Sequence, residues 1–113
     1  MSISFEGIGQ WCATFACEGM KEGAPVKMTE NDKVGICGDG EDFCGVAVAV
    51  GHDGKACSVQ LGGFVALPYS GSDPAVGMTA LVGDGAEGVK IGGEKEYLVV
   101  NVDGTAKTVI IKL

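Results

Sequence analysis

Apolar and polar residues alternate along this chain with a period of two, in stretches too short for anything but brief strands. From Gln10 to Cys17, the residues Trp11, Ala13, Phe15 and Cys17 share one face and Gln10 and Thr14 the other, which predicts a half-buried strand. After the polar stretch Glu18 to Ala24, Val26 and Met28 alternate with Lys27 and Thr29, and the opening Pro25 suits an edge or a first position. Phe43 to Val50 has a branched apolar face of Cys44, Val46, Val48 and Val50, and a small one of Gly45, Ala47 and Ala49, against which something must pack closely. A turn at Gly51 to Lys55 returns the chain through Cys57, Val59 and Leu61, with Ser58 and Gln60 facing water. Gly62-Gly63 predicts a bulge or sharp bend before a strand at Phe64 to Leu67. An exposed loop from Pro68 to Pro74 follows. Met78 to Val82 and Gly88 to Ile91 flank a further turn, and a closing hairpin pairs Tyr97 to Val102 with Thr105 to Leu113.

Glycine and proline leave no stretch free of both that is longer than the ten residues Glu94 to Asp103, so long helices are excluded. Twenty valines and isoleucines against five leucines favour a pleated sheet. Asp39-Gly40, Asp53-Gly54, Asp84-Gly85 and Asp103-Gly104 are hairpin-turn dipeptides that supply positive φ. The expectation is an all-β, single-domain β-barrel or β-sandwich of short strands over residues 10–113, preceded by an N-terminal arm at 1–9. Gly38-Asp39-Gly40 and Gly83-Asp84-Gly85 form a faint internal echo whose flanks share only apolar character.

Composition narrows the partners. With 113 residues the chain is one domain, which buries roughly two-thirds of its unfolded surface. The 20 glycines accompany 46% apolar residues, so this is a turn-dense body and not a disordered tract. A net charge of −7, with lysine as the sole cation type and no arginine, argues against nucleic acid. No targeting signal and no apolar run near the ~20 residues of a membrane helix is visible, so a soluble, unsecreted protein is expected. The five cysteines Cys12, Cys17, Cys37, Cys44 and Cys57 are then expected as reduced thiols, buried as small hydrophobes.

Catalytic and metal constellations fall short. His52, the single histidine, lies in a turn, and pairing it with Cys57 yields hairpin neighbours without a pocket or an oxyanion hole. The cysteine spacing contains no Cys-x2-Cys knuckle for zinc, and Asp39-Gly40-Glu41-Asp42 lacks the alternate oxygens and distant glutamate of a calcium loop. No helix can follow Gly62-Gly63 or Gly92-Gly93 to cradle a phosphate. No enzyme activity and no cofactor are expected. Glu18-Gly19-Met20-Lys21 and Asn31-Asp32-Lys33-Val34 partly resemble the modified hairpin of biotinyl and lipoyl domains, which makes a carrier domain modified on Lys21 or Lys33 the alternative.

Taken in order, Glu22-Gly23-Ala24-Pro25-Val26, Phe43-Cys44-Gly45-Val46-Ala47, Gly54 to Val59, Leu61 to Pro68 and the late valine-rich hairpin resemble the capsid cement, or head decoration, proteins of tailed bacteriophages and prophages. The five cysteines and the strand around Trp11 depart from that pattern. The resemblance implies a structural protein on the outer surface of the head shell, with the major capsid protein as partner. It also implies a homo-oligomer, commonly a trimer, located in the virion capsid and in the bacterial cytoplasm during assembly. Contact residues expected on this reading are Ile3, Phe5 and Ile8 of the arm and Pro68, Tyr69, Asp73 and Pro74 of the exposed loop.

Overall fold

A computed structural model describes residues 11–113. Nine strands carry the fold, and among the described residues there is no helix. They are β1 (Trp11–Cys17), β2 (Pro25–Glu30), β3 (Lys33–Ile36), β4 (Gly45–Val50), β5 (Ala56–Gly62), β6 (Phe64–Pro68), β7 (Gly77–Gly83), β8 (Val89–Asp103) and β9 (Thr108–Lys112). The first five close into a barrel of order β1-β3-β2-β4-β5, and the last four form a separate sheet of order β6-β9-β8-β7. The all-β expectation holds, and barrel and second sheet are both present. The passage between them is the predicted bend at Gly62-Gly63, where Gly63 has φ +85°.

The Asp-Gly dipeptides work mainly through their carboxylates. Asp53 Oδ1 accepts the Lys55 amide at 3.0 Å, Asp84 Oδ1 the Ala86 amide at 2.8 Å, and Asp103 Oδ1 the Thr105 and Ala106 amides at 3.0 and 3.1 Å. Gly40, Gly54 and Gly85 have positive φ, but after Asp103 it is Lys107 (φ +57°) and not Gly104 that takes the left-handed position. Asp39-Gly40 does not connect a hairpin, because β2 lies between β3 and β4. The two Gly-Asp-Gly segments meet instead. The Gly40 amide donates to Gly83 O and the Gly83 amide to Glu41 O, both at 2.9 Å, and Lys90 pairs with Asp39 across the same seam.

Two apolar clusters follow from this division. Val26, Val34, Ala47 and Val59 fill the barrel with Cys17, Met20 and Cys57. Val65, Leu67, Leu81, Val99, Val109 and Ile111 line the inner face of the sheet and pack on Phe43, Val46 and Cys37 from the barrel side. β4 serves both clusters because its adjacent residues Val46 and Ala47 point to opposite faces; at the register shift between Ala47 and Ala49 the strand leaves the core, and Val48 and Ala49 are exposed. The predicted close packing occurs at Gly45, where an added Cβ would lie 2.5 Å from Gln60 O.

Several expectations need correction. No strand was expected at Lys33–Ile36, where the structure has β3. Pro25 opens β2 as expected of a first position, but β2 is flanked on both sides and is no edge. The strands expected at Gly88 to Ile91 and Tyr97 to Val102 are one strand, β8, which begins at Val89 and whose residues 92–95 bulge between the Leu81↔Ile91 and Ala80↔Glu96 pairs. Gln60 is buried and does not face water. Its amide closes the corner between the two bodies by donating to Gly62 O at 2.9 Å and Phe64 O at 2.8 Å.

Candidate binding surface

The loop after β6 is pinned at both ends. Pro68, Ser70, Gly71, Ser72 and Asp73 are exposed, but Tyr69 and Pro74 are buried, which corrects their expected exposure. The Tyr69 amide donates to Lys107 O and the Ser70 amide to Val89 O, each at 3.0 Å. The Tyr69 hydroxyl donates to Asp73 Oδ1 at 2.6 Å, and Lys107 Nζ sits 3.3 Å from the same oxygen and 5.2 Å from the Tyr69 ring centre. Of the expected contact residues here, Pro68 and Asp73 are therefore accessible, whereas Tyr69 and Pro74 anchor the loop. Ile3, Phe5 and Ile8 lie outside the described residues.

The Tyr69–Asp73 hydrogen bond shifts both groups. It holds the Asp73 carboxyl below its ordinary range, with Lys107 adding to the effect, and pushes the Tyr69 phenol up to about 12. A lowered carboxyl contributes stability that is present above its ordinary range and lost as pH falls through the folded value. The raised phenol contributes stability that is complete below its ordinary 10 and lost as pH rises toward about 12. Burial also raises the other tyrosine, Tyr97, so neither should ionise near 10. Spectrophotometric titration should therefore show no tyrosinate absorbance at that pH, and Asp73→Ala should bring one tyrosine down toward it. An Asp73→Ala titration identical to wild type would contradict the assignment.

All the thiols but Cys12 are wholly or partly enclosed. Cys17, Cys37 and Cys57 are buried, Cys44 is half-buried, and Cys12 is exposed, contrary to expectation. Burial first, and a hydrogen bond with Cys17 second, push the Cys57 thiol up to about 11. His52 stands exposed on the β4–β5 turn, whereas Cys57 points into the barrel core. The carrier-type lysines are not at a hairpin tip. Asn31 and Asp32, with Asp32 at φ +61°, occupy the β2–β3 tip, Lys33 Nζ lies 3.6 Å from Glu18, and Lys21 pairs with Glu87 at 3.0 Å. Among the described residues no group of three or more His, Cys, Asp or Glu side chains could hold a metal, and no helix is long and apolar enough to cross a membrane.

The most distinctive surface is the outer face of the second sheet. Antiparallel pairing places Phe64, Lys112, Leu98 and Met78 in one row across all four strands, and Ala66 and Ile110 in the next. An outer sheet face is ordinarily polar. Here Met78 is 60% exposed and Leu98 37%, with Val76 at 72% just before β7, and Lys112 is the one charge in the Phe64–Met78 row. The expected contact residues lie in the arm and the loop, and none of them is on the Leu98–Met78 strip. Its signal was present in Tyr97-Leu98-Val99-Val100 and Val109-Ile110-Ile111, runs apolar on both faces where a half-buried strand should alternate. No family model, characterised protein or solved structure matches the chain.

Proposed function

We propose that the protein is a head decoration, or cement, protein of a tailed bacteriophage or prophage, which binds the outer surface of the capsid shell and stabilises it without bond-making chemistry. The observation that carries this reading is the exposure of the apolar Leu98 and Met78, side by side on the outer face of a four-stranded hydrogen-bonded sheet. A rigid body loses little conformational freedom on docking, so modest contacts suffice when a lattice repeats the same site many times. The accessible residues Pro68, at the end of β6, and Asp73, in the loop after it, add to the contact, and Ile3, Phe5 and Ile8 of the arm are its further contact residues. The net charge of −7 and the absence of arginine favour a protein shell over packaged nucleic acid as the partner.

The test is sedimentation with shells assembled from the major capsid protein of the same phage or prophage. The protein should pellet with the shells up to a fixed ratio to the capsid subunit and remain in solution without them. Retention in the supernatant at saturating shell concentration would overturn the reading.

A further inference from the structure

We propose that β7 is the contact edge between two copies of this chain, pairing antiparallel with its own equivalent about a two-fold axis at Thr79. β7 is the outermost strand of the second sheet. Its far end is already closed, because Gly83 exchanges backbone hydrogen bonds with Gly40 and Glu41. From Gly77 to Leu81, among the described residues, no backbone hydrogen bond reaches the side turned away from β8. Thr79 is the centre of that open stretch. Antiparallel self-pairing there sets Gly77 against Leu81, Met78 against Ala80 and Thr79 against itself, so the free length fixes its own register.

The strand lacks the devices that keep edges apart. Gly77 to Gly83 contains no charge and no proline, and the apolar Met78 within it and Val76 just before it stand exposed. Flanking charges suit a second copy of an otherwise acidic chain. Within one copy Lys112 lies on the Met78 row behind Leu98, and Glu96 lies on the Ala80 row. The two-fold joins the Met78 row of one copy to the Ala80 row of the other, so a lysine and a glutamate flank the same apolar strip from opposite sides. A charge pattern of one sign would instead oppose itself across the axis. The pairing merges two four-stranded sheets into one of eight strands and makes one continuous outer face, in place of the trimer that the family resemblance implies.

The proposal stands independently of shell binding and is tested on the protein alone. Sedimentation velocity over a range of concentrations should give a mass twice the 11.4 kDa of the chain. Met78→Lys places a charge on the pairing strand and should weaken association at least tenfold, leaving the β-type circular dichroism unchanged. Val76→Lys, outside the strand, should do the same and decides the matter if Met78→Lys does not fold. Met28→Lys, an equally drastic change at an exposed barrel position, should leave the pair intact. A wild-type mass of one or three copies, or pairs that survive both Met78→Lys and Val76→Lys, would overturn the proposal.

Discussion

Phe43→Ala should lower unfolding stability by about 3–5 kcal/mol, read as a shift of the urea midpoint at unchanged slope. Phe43 is 1% exposed and belongs to neither the barrel wall nor the second sheet. It stacks on Tyr97 of β8 with ring centres 4.6 Å apart and planes 6° from parallel, and its carbonyl accepts the Tyr97 hydroxyl at 2.8 Å. Truncation removes the ring and opens a cavity at the seam, although the backbone hydrogen bond can persist. The stacked pair adds about 0.5–1.5 kcal/mol beyond burial. A domain of this size has some 5–15 kcal/mol in total, so the variant loses a large part of its margin. Phe43→Leu should cost much less. A loss under about 1 kcal/mol for Phe43→Ala would mean that the seam does not hold barrel and sheet together.

Gly45→Val should destabilise by about 3 kcal/mol, for the opposite reason. Here the site is overfilled. A Cβ at Gly45 would lie 2.5 Å from the backbone oxygen of Gln60 and 2.8 Å from Val59 Cγ1, and backbone cannot swing aside as a side-chain end can. β4 and β5 would have to separate beside the Val46↔Gln60 and Ala47↔Val59 pairs. The same substitution at Gly54, whose Cβ meets nothing within 4 Å, meets only the strain of a positive φ. Thermal unfolding of Gly45→Val and Gly45→Ala should show a graded loss; wild-type melting of Gly45→Val would contradict the packing described for this strand.

These two sites illustrate what could be read from the residues and what could not. The small face of Gly45 and Ala47 announced a close neighbour, and Gly62-Gly63 announced a corner, because both are local demands on backbone space. Alternation was less informative at Gln60. It placed Gln60 on the face opposite Val59 correctly, but it could not say that the chain would turn at Gly63 and present the Phe64 carbonyl over it. β3 went unseen because its four residues gain their order from β2 and from a parallel contact with β1 at Ala16↔Lys33 and Cys17↔Val34, a partnership set by barrel closure and invisible in sequence neighbours. Tyr69 and Pro74 read as exposed because they sit in a polar loop. The Val89 bridge that draws Tyr69 in depends on a strand twenty residues away, whereas its hydrogen bond to Asp73 is made within the loop.

The outer sheet face was legible in principle, since Leu98, Val100 and Ile110 interrupt the expected polar alternation. Apolar residues on the solvent side of a sheet lower the stability margin little and stand ready for a partner. Two sheets joined at β7 would present that face as a single surface.

Electron cryomicroscopy of shells mixed with the protein tests the functional reading most directly. The predicted result is added density on the outer surface at every equivalent lattice position, matching a body of 37 × 30 × 23 Å per copy and touching the shell through its four-stranded sheet. Bare shells at saturating protein, or density confined to the shell interior, would contradict it.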